Sequence, residues 1–184
     1  GKGRGKLNGK EISGSDIEAE MGNLQNTPAQ FAEMWTSWHD NVGAPMKDDY
    51  ARMVGIANEG SKELGFADTG AMWRSGYDMS PEDFAKTTER LCQEVKPLYM
   101  ALHTYTRWKL NEKYGDAVQP NTGPIRADLP GNMWAQEWGN IYPLVALKGP
   151  GDLGYDVGDL LTAQGKTPLD MVTAGENFDS LLGM

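Results

Sequence analysis

The sequence predicts an all-α protein built as a bundle of helices. Helix-capping signals recur along the chain, and apolar residues recur between them at spacings of three and four. No segment alternates apolar and polar residues as a half-buried strand does, and no internal repeat is present. A short hairpin in the turn-rich stretch 115–130 is the one β element that the pattern leaves open.

Composition narrows the class of protein. The 184 residues are 39% hydrophobic, which is enough apolar material for a folded core. The net charge of −9 argues against nucleic-acid binding, because that binding depends on neutralising phosphates. The single cysteine, Cys92, excludes an intramolecular disulfide and fits a buried apolar position in a helix. No apolar stretch is long enough for a membrane-spanning helix.

The first residues, Gly1 to Lys6, are basic, and no apolar run follows them. These residues do not have the pattern of a secretory signal peptide, which requires an apolar run. They are typical of a solvated, frayed terminus. We therefore expect residues 1–14 to be a flexible basic terminus. A start at glycine instead of methionine suggests that upstream sequence has been removed.

Three helices are expected before Gly65, and each begins at a capping residue or a proline: Ser15-Asp16, Thr27-Pro28 and Pro45. The first is expected to run from Ile17 to about Leu24. The second and third each carry an apolar face, formed by Phe31, Met34, Trp35 and Trp38 and by Tyr50, Met53, Val54 and Ala57. Residues 66–79 are expected to connect them to the next helix.

Ser80-Pro81 is the strongest helix start, and the helix it opens is expected to reach Tyr114-Gly115. A repeat of four and three predicts that this helix packs in a bundle; its members are Phe84, Thr88, Leu91, Val95, Leu98, Leu102 and Tyr105. Pro97 is expected to kink or break the helix.

Irregular structure is expected from Gly115 to Pro130. Residues 133–146 are predicted to begin as a helix with Trp134, Trp138 and Ile141 on one face, until Pro143 interrupts it. A loop at 149–154 and two helices, 155–164 and 168–182, complete the chain, and Thr167 caps the second of them.

The residues alone indicate no catalytic or metal centre. His39 and His103 are the only histidines and lie far apart in the chain, and neither an HExxH motif nor a cysteine pair is present. No nucleophile elbow or phosphate-binding loop occurs. The carboxylates are expected to lie on solvated helix faces, so no catalytic residue and no metal ligand is assigned.

The segment Gly131-Asn132-Met133-Trp134-Ala135-Gln136-Glu137-Trp138 resembles the M2 family of zinc peptidyl-dipeptidases, the angiotensin-converting enzymes and their bacterial relatives. Further blocks agree in the same order: 35–40, 63–75, 96–99, 102–103, 114–116, 123–125 and 140–142. The resemblance covers roughly residues 15 to 183, and the residues of these blocks are more similar to bacterial than to vertebrate members of the family.

The resemblance implies a larger, mostly helical ellipsoidal peptidase with a central channel, which releases C-terminal dipeptides from oligopeptides. It implies a zinc ion held by HExxH and a downstream Glu, and this chain contains none of those ligands. Residues 15–184 are therefore expected to be the substrate-channel half of the catalytic domain, inactive alone and dependent on the missing C-terminal half. A periplasmic or secreted location is expected from the resemblance only.

Gln136 matches the family glutamine that hydrogen-bonds the C-terminal carboxylate of the substrate. An amide suits that role because it donates to a carboxylate without adding net charge. Glu137 replaces a residue of the same pocket, and its charge would repel a carboxylate and favour basic side chains. Trp134 belongs to the same substrate-binding set, although it and Trp138 are expected mainly to pack.

Two positions match the chloride sites of the animal enzymes. Tyr77 corresponds to a chloride-binding tyrosine, and His39 stands where the family usually has an arginine. Histidine is mostly neutral at pH 7, which argues against chloride activation at His39. Arg126, Asp128 and Pro130 also depart from the usual Pro, His and Leu, and this puts the local backbone in question.

A different class of function remains open, namely a helical peptide-binding or interaction module that has lost catalysis. A reading frame that continues into HExxH favours the peptidase, and a stop after Met184 favours the module.

Overall fold

Within residues 3–147 and 157–183, the computed structural model contains eight α-helices and one two-stranded sheet. The helices are α1 Gly14–Met21, α2 Pro28–Trp38, α3 Ala44–Glu63, α4 Thr69–Arg74, α5 Pro81–Tyr114, α6 Tyr142–Val145, α7 Val157–Ala163 and α8 Pro168–Leu181. The mostly helical class predicted from the sequence is confirmed. The chain divides into two units, residues 1–146 and 147–184.

The amino-terminal segment forms a hairpin, so the expectation of a frayed terminus is wrong for residues 4–13. Strands β1 (Arg4–Leu7) and β2 (Lys10–Ser13) pair antiparallel. Asn8 and Gly9 form the turn with φ of 52° and 74°, the two positive values that a tight Asn-Gly hairpin turn requires. Their backbone N–H groups donate to the Glu33 carboxylate of α2 at 2.7 and 2.8 Å, which fixes the hairpin on that helix.

The capping residues predicted from the sequence begin their helices. Thr27, Ser80 and Thr167 each accept a hydrogen bond from the third residue of α2, α5 and α8 respectively. The first helix starts earlier than predicted, because Ser13 forms a capping box with Asp16 and leaves Ser15 inside the helix.

The core of the first unit joins α1, α2, the end of α5 and the segment that follows it. Its buried members are Ile17, Met21, Phe31, Met34, Leu110, Leu129, Met133 and Ile141. Most of the residues that separate α5 from α6 lack helical or strand structure, as expected for 115–130, yet this segment supplies three of the buried side chains. The core therefore holds residues 129–141 against α2.

The long helix α5 is continuous through Pro97, so the expected break does not occur. The apolar repeat of α5 is not packed as predicted, because its members Leu91, Val95, Leu98 and Leu102 are exposed. The buried residues of the helix are Thr106 and Leu110, which lie outside the repeat. On α3 the apolar residues Tyr50, Met53 and Val54 are likewise exposed. Among the described residues of this unit, the fully buried side chains of α5 lie only in its C-terminal part.

Two local predictions differ from the structure. The connecting segment 66–79 contains α4, which Asp68 caps by accepting from the Ala71 N–H at 2.7 Å. Residues 133–138 are not helical; a short 3-10 turn, Gly139–Ile141, leads into α6. Pro143 lies in the first turn of α6, a position where its missing N–H is tolerated, and so it does not interrupt a helix.

The second unit contains α7 and α8. The apolar residues Leu169, Val172 and Phe178 of α8 are exposed. The predicted loop at 149–154 and the first two residues of the helix predicted at 155–164 lie outside the described residues.

Candidate functional site

The segment 131–138 is a tight turn whose backbone needs a glycine at its start. Gly131 has a φ of 97°, and a Cβ placed there would lie 2.8 Å from the Asn140 Cβ. The Asn140 side chain also donates to the Gly131 carbonyl oxygen at 2.9 Å. Ala135 has a φ of 54°, a left-handed conformation that non-glycine residues seldom adopt and that ends any helical path through the segment.

Side-chain hydrogen bonds hold this turn in shape. The buried Asn132 accepts from the Trp134 N–H at 2.9 Å through Oδ1, and its amide reaches the Glu137 carbonyl oxygen at 3.5 Å. The Trp138 indole N–H donates to the Ala135 carbonyl oxygen at 3.1 Å. These contacts compete with the backbone bonds of a helix, so the stripe predicted for Trp134, Trp138 and Ile141 does not form.

Gln136 is exposed and lines an open groove of about 360 Å³ together with Tyr99, Leu102, Ala135 and Trp138. Its side-chain amide has no hydrogen-bond partner within the described part of the chain. An amide in this state offers two N–H donors and one carbonyl acceptor to a ligand. The groove thus combines one free polar group with a mostly apolar wall.

Two rings of the groove lining, Tyr99 and Trp138, lie near the ring of His103. The centroid of Trp138 is 6.3 Å from that of Tyr99 and 6.2 Å from that of His103, and the Tyr99 and His103 centroids are 6.0 Å apart. All three pairs have tilted planes, a favourable aromatic arrangement. The His103 Nδ1 atom is buried without a hydrogen-bond partner. Tyr99 and Leu102 were not singled out from the sequence as site residues, although their spacing of three places them on one face of α5.

His39 is brought close to the same turn. It begins a π-helical segment, His39–Gly43, directly after α2. Its ring stacks on Trp35 with centroids 3.9 Å apart, and its Nδ1 lies 2.6 Å from the Trp35 carbonyl oxygen, so Nδ1 carries the proton that is donated there. The Trp134 ring approaches edge-on at 6.2 Å. His39 and Trp134 are therefore neighbours.

Glu137 and Tyr77 occupy other positions. Glu137 is exposed, and it is not among the residues that line the groove with Gln136. The Tyr77 ring stacks on Phe84 at 4.6 Å, at the beginning of α5. No ring contact joins Tyr77 to His39 or Trp134 within the described ranges.

The unusual residues before the turn form a bonded pair. Arg126 donates to both carboxylate oxygens of the nearly buried Asp128, with Nε at 3.0 Å from Oδ1, and also donates to the Pro28 carbonyl oxygen at 3.3 Å. The Asp128 carboxylate raises the pKa of Arg126. The fully buried Gln119 accepts from the Arg126 N–H at 2.9 Å. Arg126 and Asp128, which both depart from the usual family residues, thus compensate each other's charge, and the bond from Arg126 to Pro28 ties the turn region to α2.

Across residues 3–147 and 157–183, no three His, Cys, Asp or Glu side chains lie close enough together to hold a metal ion. The described residues therefore do not fit a resident zinc ion. None of the helices in these ranges is both long and apolar enough to cross a membrane.

Comparison with known proteins identifies the family of the chain. The sequence model of Peptidase_M2, described as angiotensin-converting enzyme, matches residues 7–184. Angiotensin-converting enzymes of Bos taurus and Mesocricetus auratus are 43% and 40% identical over 171 residues, which is 91% of this chain but 13% of theirs. That of Theromyzon tessulatum is 38% identical over 92% of this chain and 26% of its own length. The chain spans a minor part of each relative, and it belongs to the angiotensin-converting enzyme family of M2 peptidases.

Proposed function

We propose that this chain forms the wall of a peptidyl-dipeptidase channel that binds the C-terminal carboxylate of an oligopeptide. The observation that carries the proposal is the Gln136 amide, which is exposed in the groove and has no partner within the described residues. A carboxylate accepts from such an amide, and a hydrogen bond to a charged group stabilises a complex by about 1.5–3 kcal/mol.

The turn supports this role by holding Gln136 in place. The residues on either side of it are fixed because the Trp134 N–H donates to the Asn132 Oδ1 and the Trp138 indole N–H donates to the Ala135 carbonyl oxygen. A donor whose backbone is already ordered loses less entropy when it binds a ligand than a donor on a mobile loop. This restraint lowers the entropic cost of binding a ligand through Gln136.

The zinc that the family resemblance implies has no cluster of ligands among residues 3–147 and 157–183, and the sequence contains no HExxH, so the proposal assigns no metal step to this chain. In the proposed enzyme, zinc would activate the attacking water, and its ligands would come from polypeptide beyond these residues. The role of this chain is confined to binding and orienting the peptide. Dipeptide release is therefore expected of the longer protein and not of residues 1–184.

The test uses the protein expressed from the complete reading frame that contains this chain. Gln136→Ala is expected to weaken peptides with a free C-terminus by about 1.5–3 kcal/mol, and the matching C-terminal amides much less. Gln25→Ala, which removes an exposed glutamine outside the groove, is the control. Equal losses for acids and amides would remove Gln136 from carboxylate binding. Peptide binding without any dipeptide release would favour the interaction module over the peptidase.

A further inference from the structure

The turn of the amino-terminal hairpin presents a chemically reactive pair of residues. Asn8-Gly9 is the only Asn-Gly pair in the sequence, and both residues are exposed. Asparagine is a labile residue, and it deamidates when the backbone nitrogen of the next residue attacks its side-chain carbonyl carbon. Glycine hinders that attack least because it has no Cβ. The turn is therefore a candidate site of covalent modification.

The reaction rearranges bonds within the turn and needs only water as a co-reactant. The Gly9 backbone nitrogen loses its proton and forms a bond to the Asn8 Cγ atom. The bond from Cγ to Nδ2 breaks, and the side-chain nitrogen takes up a proton through solvent and leaves as ammonia. Water then opens the five-membered imide ring at one of its two carbonyl carbons, which yields aspartate or iso-aspartate.

The Glu33 carboxylate of α2 opposes the first step of this reaction. Its Oε1 accepts from the Gly9 N–H at 2.8 Å, and its Oε2 accepts from the Asn8 N–H at 2.7 Å. Loss of the Gly9 proton would leave a negative nitrogen beside a negative carboxylate, and a like charge disfavours the ionised form. Even at the dielectric constant of water, this repulsion lowers the population of the ionised amide by roughly tenfold. Glu33 thus keeps the attacking nitrogen protonated.

Gln30 restrains the other reacting group. Its Oε1 accepts from the Thr27 N–H at 2.8 Å, so the capping box of α2 orients its amide. Its Nε2 donates to the Asn8 Oδ1 at 3.1 Å. This bond restrains rotation of the Asn8 side chain, on which ring closure depends. Two neighbours on α2 therefore hold both partners of the reaction.

We propose that Asn8 is a modification site that is protected while the hairpin rests on α2 and that deamidates once the hairpin leaves it. Iso-aspartate adds one methylene to the backbone of a two-residue turn, and the loop length fixes the register that places Leu7 opposite Lys10. The hairpin of that product does not close again in its original form, so the change is one-way. The site is independent of peptide binding at Gln136.

The test measures how fast Asn8 deamidates with and without its neighbours on α2. Peptide mapping by mass spectrometry follows the exchange of the side-chain NH₂ for OH in the protein from the complete reading frame. A synthetic peptide with the sequence of residues 3–14 contains the same Asn-Gly pair but lacks Glu33 and Gln30. At the same pH and temperature, the protein should convert at least roughly tenfold more slowly than the peptide.

Variants of Glu33 separate its charge from the general order of the turn. Glu33→Ala should raise the rate in the protein toward that of the peptide. Glu33→Gln, which keeps a hydrogen-bond acceptor but removes the charge, should also raise it. Glu18→Ala is the matched control, because it removes an exposed carboxylate of α1 that does not bond the turn. All variants should keep their helix content in circular dichroism, since neither glutamate belongs to the core.

Several results would overturn the proposal. These are conversion of the protein as fast as that of the peptide, and equal rates for Glu33→Ala and Glu18→Ala. Slower conversion in Glu33→Ala would mean that the carboxylate promotes the reaction as a base, which is the opposite role. A Glu33→Gln rate equal to that of the unmodified protein would refute protection by charge.

The one-way character has its own readout. The iso-aspartate fraction carries an added negative charge and can be separated by ion exchange. In the intact hairpin the Lys6 N–H donates to the Ser37 Oγ of α2 at 2.8 Å. Hydrogen exchange at this amide should be faster in the separated fraction, and unchanged exchange would show that the hairpin closes again after modification.

Discussion

Replacement of Gly131 by alanine tests whether the turn that presents Gln136 depends on a close backbone approach. The added Cβ would lie 2.8 Å from the Asn140 Cβ and 3.3 Å from the Ile141 Cγ2. A Cβ cannot be displaced by rotating its own side chain, so the backbone near residue 140 must move. The φ of 97° adds strain, because an L-residue with a Cβ rarely adopts it.

The two costs can be estimated separately. The left-handed backbone costs alanine about 1–2 kcal/mol. Forcing an extra carbon into a packed contact costs about 1–3 kcal/mol. Gly131→Ala should therefore lower the free energy of unfolding of the first unit by about 2–5 kcal/mol. The bond from the Asn140 amide to the Gly131 carbonyl oxygen lies at the point of strain and should weaken with it.

Two glycines of the same unit serve as controls. Gly123 has a φ of 80° with no heavy atom within 4 Å of the added Cβ, so Gly123→Ala should show only the backbone cost of about 1–2 kcal/mol. Gly139 has neither a positive φ nor a neighbour within that distance, so Gly139→Ala should be neutral or slightly stabilising.

Urea denaturation followed by tryptophan emission measures all three variants, and Trp134 and Trp138 report on the turn itself. Gly131→Ala should also weaken peptide binding through Gln136. If Gly131→Ala costs no more than Gly123→Ala, the contact with Asn140 does not constrain the turn and the reasoning is refuted.

Three further predictions concern the hairpin, a helix cap and metal content. Glu33→Ala should destabilise the hairpin by about 1–2 kcal/mol, since two bonds to a partly exposed carboxylate are lost, and hydrogen exchange at the Asn8 and Gly9 amides should accelerate. Bonds from Thr167 lower the pKa of Asp170 below its ordinary value of 3.8, so its cap on α8 is complete above that value and is lost as the pH falls through the lowered pKa. Helical circular dichroism measured during an acid titration should show this loss of helix, and the Asp170→Asn variant should lack this pH dependence. Purified residues 1–184 should contain no stoichiometric zinc by elemental analysis and release no dipeptide; bound zinc with activity would contradict the assignment of the metal to other polypeptide.

The features predicted correctly depend on neighbours in the sequence. Thr27, Ser80 and Thr167 cap their helices because each side chain bonds an N–H group three residues later. The hairpin was also within reach of local reasoning, since Asn8-Gly9 is the strongest short turn signal. It was missed because its strands carry no regular alternation of apolar and polar residues.

The failed predictions concern distant partners. The stripe on α5 has helical spacing, but spacing does not say whether another element covers it. The buried residues of α5 are Thr106 and Leu110, which do not belong to the stripe. Residues 133–138 of the turn were predicted as the start of a helix because Trp134, Trp138 and Ile141 are suitably spaced. The bond that the Asn132 side chain accepts, the bond that the Trp138 indole donates and the left-handed Ala135 give the backbone a different path.

The sequence by itself therefore determined the helical class, the starts of α2, α5 and α8, and membership of the M2 peptidases, because capping bonds are local and the family blocks are linear motifs. The groove was decided by tertiary structure alone. Tyr99 and Trp138 meet across 39 positions of the chain, counted from their residue numbers. Their contact depends on the packing of the segment after α5 against α2. The free energy of that packing comes from apolar area buried between segments that are distant in the sequence, and no local sequence pattern encodes it.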